Sequence, residues 1–532
     1  MENQTTGRVA RAAGIVMFFI LLSRILGFVR ERAIAEVFGR TGVTDVFFAA
    51  FAIPDLMYQL LVGGALSSAF IPVFTHYLAR GEEKEAWYTA SIFLNIIVLA
   101  LASFMILGVI FTPSLAPLVG IGFDGEQREL LILLMRVTFP AVFFTALSGL
   151  AMGILHSYQK FTLPALGPIV YNLGQILGAY VLGPIMGIMG MAVGTIAGSL
   201  GSLSLQLPQV AARAKGFYRP VIDLRHPGIR RMGTLMLPAI IGLSISQVNL
   251  IVGQNLASLL ETGSIVALRL ANRLINFPLG VFAMGISTAI FPTLSGLVAQ
   301  DEMLEFRRTF SFGLRVVFFV TIPSAMGMAF LSVPIVRLLF ESGEFTAADT
   351  AATAYALLFY APGLIAQAGT QIITRIYYSL QDTVTPVKIG LVTVVINFIL
   401  SLAFLKLPGL NHGAIALAFS ITAGINMFIA LAVLRRKLGG IDGHRIAAAA
   451  IKAFAAAAVM GVGVYAASGF LGGHLDLTRT MGRLLQVFGS ILVGVVLYLG
   501  GAVLLRMDEP LFLWTAFAVR LRRRSRRART QH

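Results

Sequence analysis

Long apolar stretches alternate with short polar connections along most of this sequence. Each stretch has roughly 20 mainly apolar residues, the length that an α-helix needs to cross the hydrocarbon core of a bilayer. The pattern predicts an all-α integral membrane protein with fourteen transmembrane helices. The approximate limits of these spans are 11–36, 43–77, 87–112, 128–156, 162–184, 187–212, 229–259, 264–298, 308–332, 346–379, 385–406, 411–435, 447–471 and 482–506.

Charged residues interrupt the first apolar stretch at Arg24, Arg30 and Glu31. An arginine near the bilayer centre costs about 2.5–3.5 kcal/mol on insertion scales, so it is retained where it faces a bundle interior or a wet cavity. Arg24 and Glu31 are seven residues apart and therefore share a helix face. The arginines have two simpler alternatives: pairing with Glu31 or, for Arg30 and Arg32, reaching the membrane interface. For Arg24, the deepest, we expect a cationic cavity suited to an anionic substrate.

The eighth span carries a second pair of cations. Arg269 and Arg273 are four residues apart and lie on one helix face, where like charges repel unless water or an anion separates them. We therefore expect Arg273, and with it Arg269, to face the substrate. Asp45 opens the second span; it either contributes to the same site or serves as an acid at a helix N-terminus.

The composition restricts the functional class. The chain of 532 residues is 57% hydrophobic and only 12% charged, whereas soluble domains carry about 25% charged residues. It has no cysteine, which excludes disulfides and thiol catalysis, and its seven histidines lack metal-ligand spacing. There is no P-loop motif. We therefore expect a transporter rather than an enzyme, with no cofactor and no metal centre.

Basic residues cluster in alternate connections, as the positive-inside rule describes. With an even number of spans, this bias places both termini in the cytoplasm, and the first span is expected to remain uncleaved. The C-terminal tail most simply binds anionic lipids, and we expect no nucleic-acid partner. The clusters are Arg213, Lys215, Arg219, Arg225, Arg230 and Arg231; Arg435, Arg436, Lys437 and Arg445; and the tail from Arg520 to Arg529.

The sequence also repeats itself. The prolines at 140 and 164 recur at 362 and 386, an offset of 222, and the residues around Pro72 recur around Pro292 at an offset of 220. Spans 1–6 and 7–12 are therefore predicted to be two six-helix lobes related as parallel repeats, with charged residues of spans 1, 2, 7 and 8 converging at their interface. The predicted divisions are an N-lobe at 1–215, a C-lobe at 216–440, spans 13 and 14 at 441–510, and a polybasic tail at 511–532.

Five segments in register resemble the MurJ/MviN family, the bacterial lipid II flippases of the MOP superfamily, which also includes MATE exporters and Wzx flippases. The segments are Ser23-Arg24-Ile25-Leu26-Gly27-Phe28-Val29-Arg30-Glu31, Thr44-Asp45-Val46-Phe47-Phe48, Ala69-Phe70-Ile71-Pro72, Gly242-Leu243-Ser244-Ile245-Ser246-Gln247 and Ala271-Asn272-Arg273-Leu274-Ile275-Asn276-Phe277-Pro278-Leu279-Gly280.

This resemblance implies a MATE-like V of two lobes around a central cavity in the bacterial cytoplasmic membrane, with the last two helices forming a groove for a lipid tail. The implied cargo is lipid II, an undecaprenyl diphosphate that carries a disaccharide-pentapeptide, moved from the inner to the outer leaflet. The family's cavity arginines correspond to Arg24, Arg30 and Arg273. Its acidic positions correspond to Glu31 and Asp45.

The sequence departs from the family pattern at several polar positions. Some members have an arginine pair in the second span and a glutamate after it, where this chain has Tyr58, Gln59 and Gly63. They also have a glutamate three residues after the arginine of span 8, where this chain has Asn276. The positions of the sodium ligands known in some members read Asn249, Asn397 and Ser401, all neutral. We therefore expect weak or absent sodium dependence, with energy from the membrane potential or another monovalent ion gradient.

Two other transport functions share parts of this pattern. A flippase for another undecaprenyl-linked glycan, of the Wzx kind, would use the same diphosphate-binding arginines. A MATE-type drug exporter would need acids to receive a cation, which an arginine-rich cavity does not offer.

Overall fold

The computed structural model describes residues 2–64 and 66–510, and within these ranges the regular secondary structure is entirely helical. The predicted polybasic tail at 511–532 lies outside the described residues. The chain divides into two compact units. The first comprises Met1–Val266 and Ser342–Thr346, and the second comprises Ala267–Glu341 and the chain from Ala347 onward.

The first unit contains eleven complete α-helices and three π-helical segments, at Gln59–Gly64, Leu66–Phe70 and Gly178–Leu182. The α-helices are α1 Glu2–Phe38, α2 Gly42–Ala50, α3 Ala52–Tyr58, α4 Ile71–Ala79, α5 Glu83–Ile110, α6 Thr112–Val119, α7 Gly125–Ser157, α8 Thr162–Leu177, α9 Gly183–Met186, α10 Ile188–Ala214 and α11 Pro227–Ser258.

The second unit begins inside α12 and contains one π-helical segment, Leu279–Ala283. Its α-helices are α12 Ser264–Pro278, α13 Met284–Ala299, α14 Met303–Phe330, α15 Ser332–Phe340, α16 Ala347–Ser379, α17 Val384–Leu405, α18 Gly413–Leu438, α19 Gly443–His474 and α20 Thr480–Leu504.

Within the described residues, twelve helical stretches are long and apolar enough to cross a membrane. They correspond one by one to the predicted spans 3–14, because each apolar run forms one continuous helical stretch, two of them with a π-helical segment inside. Predicted span 1 is α1, and predicted span 2 is the segment from α2 to α4. The total of fourteen crossings stays a prediction.

The segment predicted as span 2 is interrupted rather than a single regular helix. Pro54 lies in the first turn of α3 and Pro72 in the first turn of α4, where a missing backbone N–H costs least. The two π-helical segments lie between them, and such widened turns often mark functional sites. Gly63 sits in the first of them, close to the Gln59 side chain.

The sequence repeat reappears in the helix bounds. Helices α5 and α14 have 28 residues each, and α14 begins and ends 220 residues after α5. Helices α7 and α16 have 33 residues each, with an offset of 222 at both ends. Two stretches of the chain therefore build elements of the same length in the same order. The superposition of two six-helix lobes stays a prediction.

The ends of α7 and α16 match in backbone detail as well. Gln159 and Gln381 follow these helices in the left-handed conformation, with φ of 56° and 58°. In both copies the amide of the next residue donates to a carbonyl five residues earlier, at 2.8 Å. This is the Schellman arrangement, which satisfies orphan carbonyls at a helix end.

Glycines bring two helices of the first unit into backbone contact. Helix α10 packs against α7 and α8, with Gly194 and Gly198 facing Gly174 and Gly178. A Cβ atom added at Gly194 would lie 2.5 Å from the carbonyl oxygen of Gly174. Small residues at such positions allow membrane helices to approach closely.

In the second unit, α16 packs against α14 and α18, and α19 packs against α14 and α20. Charged pairs hold both ends of α20. Near its start, Arg483 donates to the Glu341 carbonyl oxygen at 2.7 Å and to the Glu341 carboxylate at 3.2 Å. Just beyond its end, Arg315 of α14 donates to the buried carboxylate of Glu509 at 3.0 Å. The last two described helices are therefore fixed to this bundle.

The short segment Ser342–Thr346 belongs to the first unit although the chain on both sides of it belongs to the second. The Glu344 amide donates to the Glu36 carbonyl oxygen at 2.8 Å, and Phe345 is buried. Gly39 has a φ of 63°, and a Cβ atom there would lie 2.7 Å from the Glu344 carbonyl oxygen. The segment thus packs closely on the end of α1.

Candidate functional site

Arg30 is held between an acid and an amide. One terminal nitrogen lies 2.5 Å from Glu31 Oε1, and the other donates to Asn172 Oδ1 at 3.2 Å. Glu31 is 2% exposed, so this charge is neutralised in an apolar environment rather than in water. The Asn172 amide nitrogen in turn donates to the Ser23 carbonyl oxygen at 3.3 Å. Arg30 is therefore oriented by α8 as well as by its own helix.

The sequence left open a pairing of Arg30 with Glu31, and the geometry shows that pair. It did not identify Asn172, which is buried in α8 and is 142 residues away from Arg30 in the chain. The available signal was a single asparagine inside the predicted span 162–184, because a buried amide in an apolar helix needs a polar partner.

Arg24, six residues before Arg30 on α1, is exposed. Within the described part of the chain it forms no hydrogen bond and no ion pair. Leu21 and Met17, one and two turns earlier on the same face, are also exposed, at 59% and 66%. An accessible guanidinium on a long apolar helix is suited to an anionic group that approaches from outside the protein.

Helix α12 separates its charged face from its apolar face. Arg269, Arg273 and Asn276 are exposed at helical spacing, whereas Leu270 and Leu274 on the other side are buried. The Asn276 amide donates to the Asn272 carbonyl and side-chain oxygens, both at 2.8 Å. Arg269 and Arg273 therefore lie on the same exposed face of α12, as their spacing of four residues predicted.

Asp45 serves a helix N-terminus, but not that of its own helix. Its two carboxylate oxygens accept the amides of Gly263 at 2.6 Å and Val266 at 2.8 Å, at the start of α12. These are orphan donors of the kind that an N-cap satisfies, and the negative charge also complements the helix dipole. The contact supports the alternative in which Asp45 stabilises a helix end and thereby places α12.

The three neutral positions considered as sodium ligands lie in different parts of the chain. Asn397 and Ser401 are buried on one face of α17, and Asn397 Oδ1 accepts the Thr422 hydroxyl at 3.4 Å. Asn249 is half-buried in α11. Among residues 2–64 and 66–510, no three histidine, aspartate or glutamate side chains form a group that could hold a metal ion.

The predicted site residues are therefore distributed over both units. The structure brings Arg30 together with Glu31 and presents Arg269 beside Arg273. The convergence of all six in one cavity stays a prediction. The first unit holds Arg24, Arg30, Glu31 and Asp45, and the second holds Arg269 and Arg273.

Comparisons with known proteins all point to one family. The family model for lipid II flippase MurJ matches residues 34–481. A probable lipid II flippase MurJ of Vibrio cholerae serotype O1 is 34% identical over 440 residues, which cover 80% of this chain and 83% of that protein. The lipid II flippase MurJ of Burkholderia cenocepacia is 31% identical over 80% of this chain and 84% of its own length.

Solved structures agree with these sequence relationships. A lipid II flippase MurJ in an inward closed conformation superposes with a TM-score of 0.76 at 26% identity, over 92% of this chain and 98% of that one. An inward-facing multidrug resistance MATE transporter of the MOP superfamily gives a TM-score of 0.67 at 13% identity, over 80% of this chain and 98% of that one, a likeness of fold alone. With the family model matched over most of its length, this chain belongs to the lipid II flippase MurJ family.

Proposed function

We propose that this protein is a flippase that moves lipid II from the inner to the outer leaflet of the bacterial cytoplasmic membrane. Family membership supports the substrate class, and the apolar helices support the location. The observation that carries the proposal is the accessible guanidinium of Arg24 on an apolar helix. A planar guanidinium binds phosphate oxygens through two parallel hydrogen bonds, which suits the diphosphate of an undecaprenyl carrier.

The six site residues have two kinds of role in this proposal. Arg24 and Arg30 of the first unit, and Arg269 and Arg273 of the second, bind the anionic headgroup during the transport cycle. Glu31 keeps Arg30 charged and oriented, and Asp45 places the start of α12. No bond is made or broken in the substrate, so the protein acts as a transporter and not as an enzyme.

The wider architecture is part of the same proposal. Fourteen crossings would place both termini in the cytoplasm, where the basic tail binds anionic lipids, and the two lobes would form the V known from the superfamily. The last two helices would hold the lipid tail. An apolar cavity of about 410 Å³ lies beside the first of them, α19, and is lined by Phe318, Met427 and Ile451 of α14, α18 and α19.

The test is complementation of a strain depleted of its own lipid II flippase. Arg24→Ala and Arg273→Ala should each abolish growth, because the diphosphate loses charge-assisted hydrogen bonds on the order of 1.5–3 kcal/mol each. Lysine at either position should rescue only partly, since an ammonium is a point charge without the planar fork. Membrane levels of each variant would be measured in parallel.

Arg32→Ala is the matched control. This arginine lies on the same helix, is 43% exposed and lies 3.9 Å from Glu36 in a weak surface pair, so its loss should be tolerated. Normal growth of both the Arg24→Ala and Arg273→Ala variants would show that these cations do not form the substrate site.

A further inference from the structure

The connection between α10 and α11 is strongly basic and is not used by the proposed substrate site. We call residues 213–231 the basic connection. It contains six arginines or lysines and a single acid, Asp223. The six basic residues, most of them well exposed, are Arg213, Lys215, Arg219, Arg225, Arg230 and Arg231.

The backbone of the basic connection is fixed on α5. The Asn95 amide donates to the carbonyl oxygens of Arg219 at 3.1 Å and Val221 at 2.9 Å. The Tyr218 hydroxyl donates back to Asn95 Oδ1 at 2.6 Å, and the Arg219 amide donates to Ser91 Oγ at 3.1 Å. This part of the connection is therefore a bound surface element and not a free linker.

The far end of the connection is held in the same way. His226 Nε2 lies 2.9 Å from Glu85 Oε1, and the His226 ring packs edge-on against Tyr88. Asp223 accepts the Arg225 amide at 2.9 Å. Both acids thus have partners within or beside the connection, and the exposed charge of its outer side remains cationic.

Apolar side chains are exposed among these cations. Ile222 is 58% exposed and Leu224 is 66% exposed, and the ring of Tyr218 is 48% exposed. Single exposed apolar residues are common on protein surfaces, but these three lie within seven residues of one another, and exposed apolar groups bordered by polar residues mark contact with a membrane or a partner. Apolar side chains beside arginines, with a tyrosine at the edge, are the composition of segments that lie in the interface of a membrane.

We propose that the basic connection binds anionic phospholipid headgroups of the leaflet that it faces, with Ile222 and Leu224 inserted at the boundary between headgroups and acyl chains. Charge complementarity selects this occupant, because each arginine near an anionic surface strengthens binding by about fivefold. The hydrogen bonds from α5 hold the arginines and the two apolar side chains ready, so that little order has to be created on binding. The basic connection is a different part of the sequence from the polybasic tail at 511–532.

The absence of cysteine from the sequence permits a direct test. Ile222→Cys and, separately, Leu224→Cys would be labelled with an environment-sensitive NBD fluorophore. The full-length protein would be placed in nanodiscs of phosphatidylcholine, without or with phosphatidylglycerol. We expect a blue shift of NBD emission that grows with the phosphatidylglycerol fraction, together with quenching by headgroup spin labels. Gln300→Cys, exposed just after α13, is the control and should show no such change.

Charge variants separate the electrostatic part from the apolar part. Arg219→Gln with Arg225→Gln, in the Ile222→Cys background, should raise the phosphatidylglycerol fraction needed for half of the emission change several-fold. Arg308→Gln, which removes an exposed arginine of α14, should leave that phosphatidylglycerol fraction unchanged.

Water-like emission at both 222 and 224 in every lipid mixture would overturn the proposal, and that result would favour an acidic protein partner instead. A blue shift of equal size in pure phosphatidylcholine would overturn its anionic specificity. Neither readout depends on lipid II transport.

Discussion

A single asparagine of α8 contacts α1 at two places, the Arg30 side chain and the backbone just before Arg24. Asn172 accepts a hydrogen bond from Arg30 and donates one to the carbonyl of Ser23, the residue before Arg24. Glu31 supplies the opposite charge for Arg30, but an ion pair alone leaves the direction of a long side chain open. Asn172 sets the direction of the Arg30 side chain, and its bond to the Ser23 carbonyl holds α8 against α1 next to Arg24.

Replacement of Asn172 by leucine should therefore impair transport more than it impairs folding. The change leaves a guanidinium nitrogen and a backbone carbonyl without this partner, at a cost of about 1–3 kcal/mol. Asn172→Asp keeps an oxygen acceptor for Arg30 and should retain most function. Complementation at graded expression levels, with the thermal midpoint of purified protein, measures both effects.

Gln175→Leu is the matched control for this substitution. Gln175 is equally buried one turn further along α8, and it donates to Tyr171 of the same helix at 2.9 Å. If Asn172→Leu complements as well as Gln175→Leu at the lowest expression level, Asn172 has no positioning role.

At the scale of single residues, the sequence indicates which charged side chains are unusual but not which residues they contact. Arg24, Arg30 and Glu31 stand out because a charge inside an apolar span is costly wherever the chain folds. The Asn172 and Asp45 contacts bridge 142 and 218 residues, and nothing local specifies them. The sequence left Asp45 as either a residue of the substrate site or an acid at the start of its own helix, and its bonds to the start of α12 could not be foreseen.

Helices of the first unit depend on backbone-to-backbone packing that a side chain would prevent. A Cβ atom at Gly194 would lie 2.5 Å from a carbonyl oxygen and from a Cα atom of α8 and the turn after it, and backbone atoms cannot move aside as a flexible side chain can. We expect Gly194→Ala to force α10 away from α8 and to lower stability by about 1–3 kcal/mol.

Gly424→Ala provides the comparison, because nothing lies within 4 Å of the corresponding position in α18. Alanine there should be neutral or should stabilise the helix by about 0.5–1 kcal/mol. Thermal unfolding of both variants in the same detergent measures the difference. Equal midpoints would show that α8 and α10 accommodate a methyl group by a small separation.

The elements themselves were predictable where apolar length alone decides them. Each of the predicted spans 3–14 corresponds to one long helical stretch, because a run of this length has no other stable form in a bilayer. The interruptions of the segment 43–77 could not be predicted from its hydropathy. Its π-helical turns depend on Pro54, Pro72 and Gly63 together with the helices that pack around them, and hydropathy does not detect these features.

For the whole molecule, loop charge predicts cytoplasmic termini, and labelling of introduced cysteines can test this. Arg479 is 82% exposed in the connection before α20, and Lys215 lies just after α10. An impermeant maleimide added to intact cells should modify Arg479→Cys but not Lys215→Cys. The opposite labelling pattern would invert the topology.

Sodium dependence is also a property of the whole transport cycle. Because Asn249, Asn397 and Ser401 carry no charge, they offer a sodium ion no compensating carboxylate. The membrane potential, worth about 2.3 kcal/mol per charge per 100 mV, is the more suitable driver for a cationic site. In proteoliposomes, replacing sodium by choline at constant potential should leave lipid II flipping unchanged. A loss of flipping under that replacement would contradict this.

The segment at 342–346 has a consequence for how the chain can be synthesised. Its contacts with the end of α1 join residues about 300 positions apart, so the contacts at Glu36 and Gly39 cannot form until the first part of the second unit, Ala267–Glu341, has been synthesised. Membrane insertion proceeds from the N-terminus, whereas the contact between the segment 342–346 and the end of α1 can form only after both parts of the chain have been made. A chain that ends at residue 340 would insert its helices but lack the segment 342–346, so the end of α1 would stay accessible to chaperones and proteases.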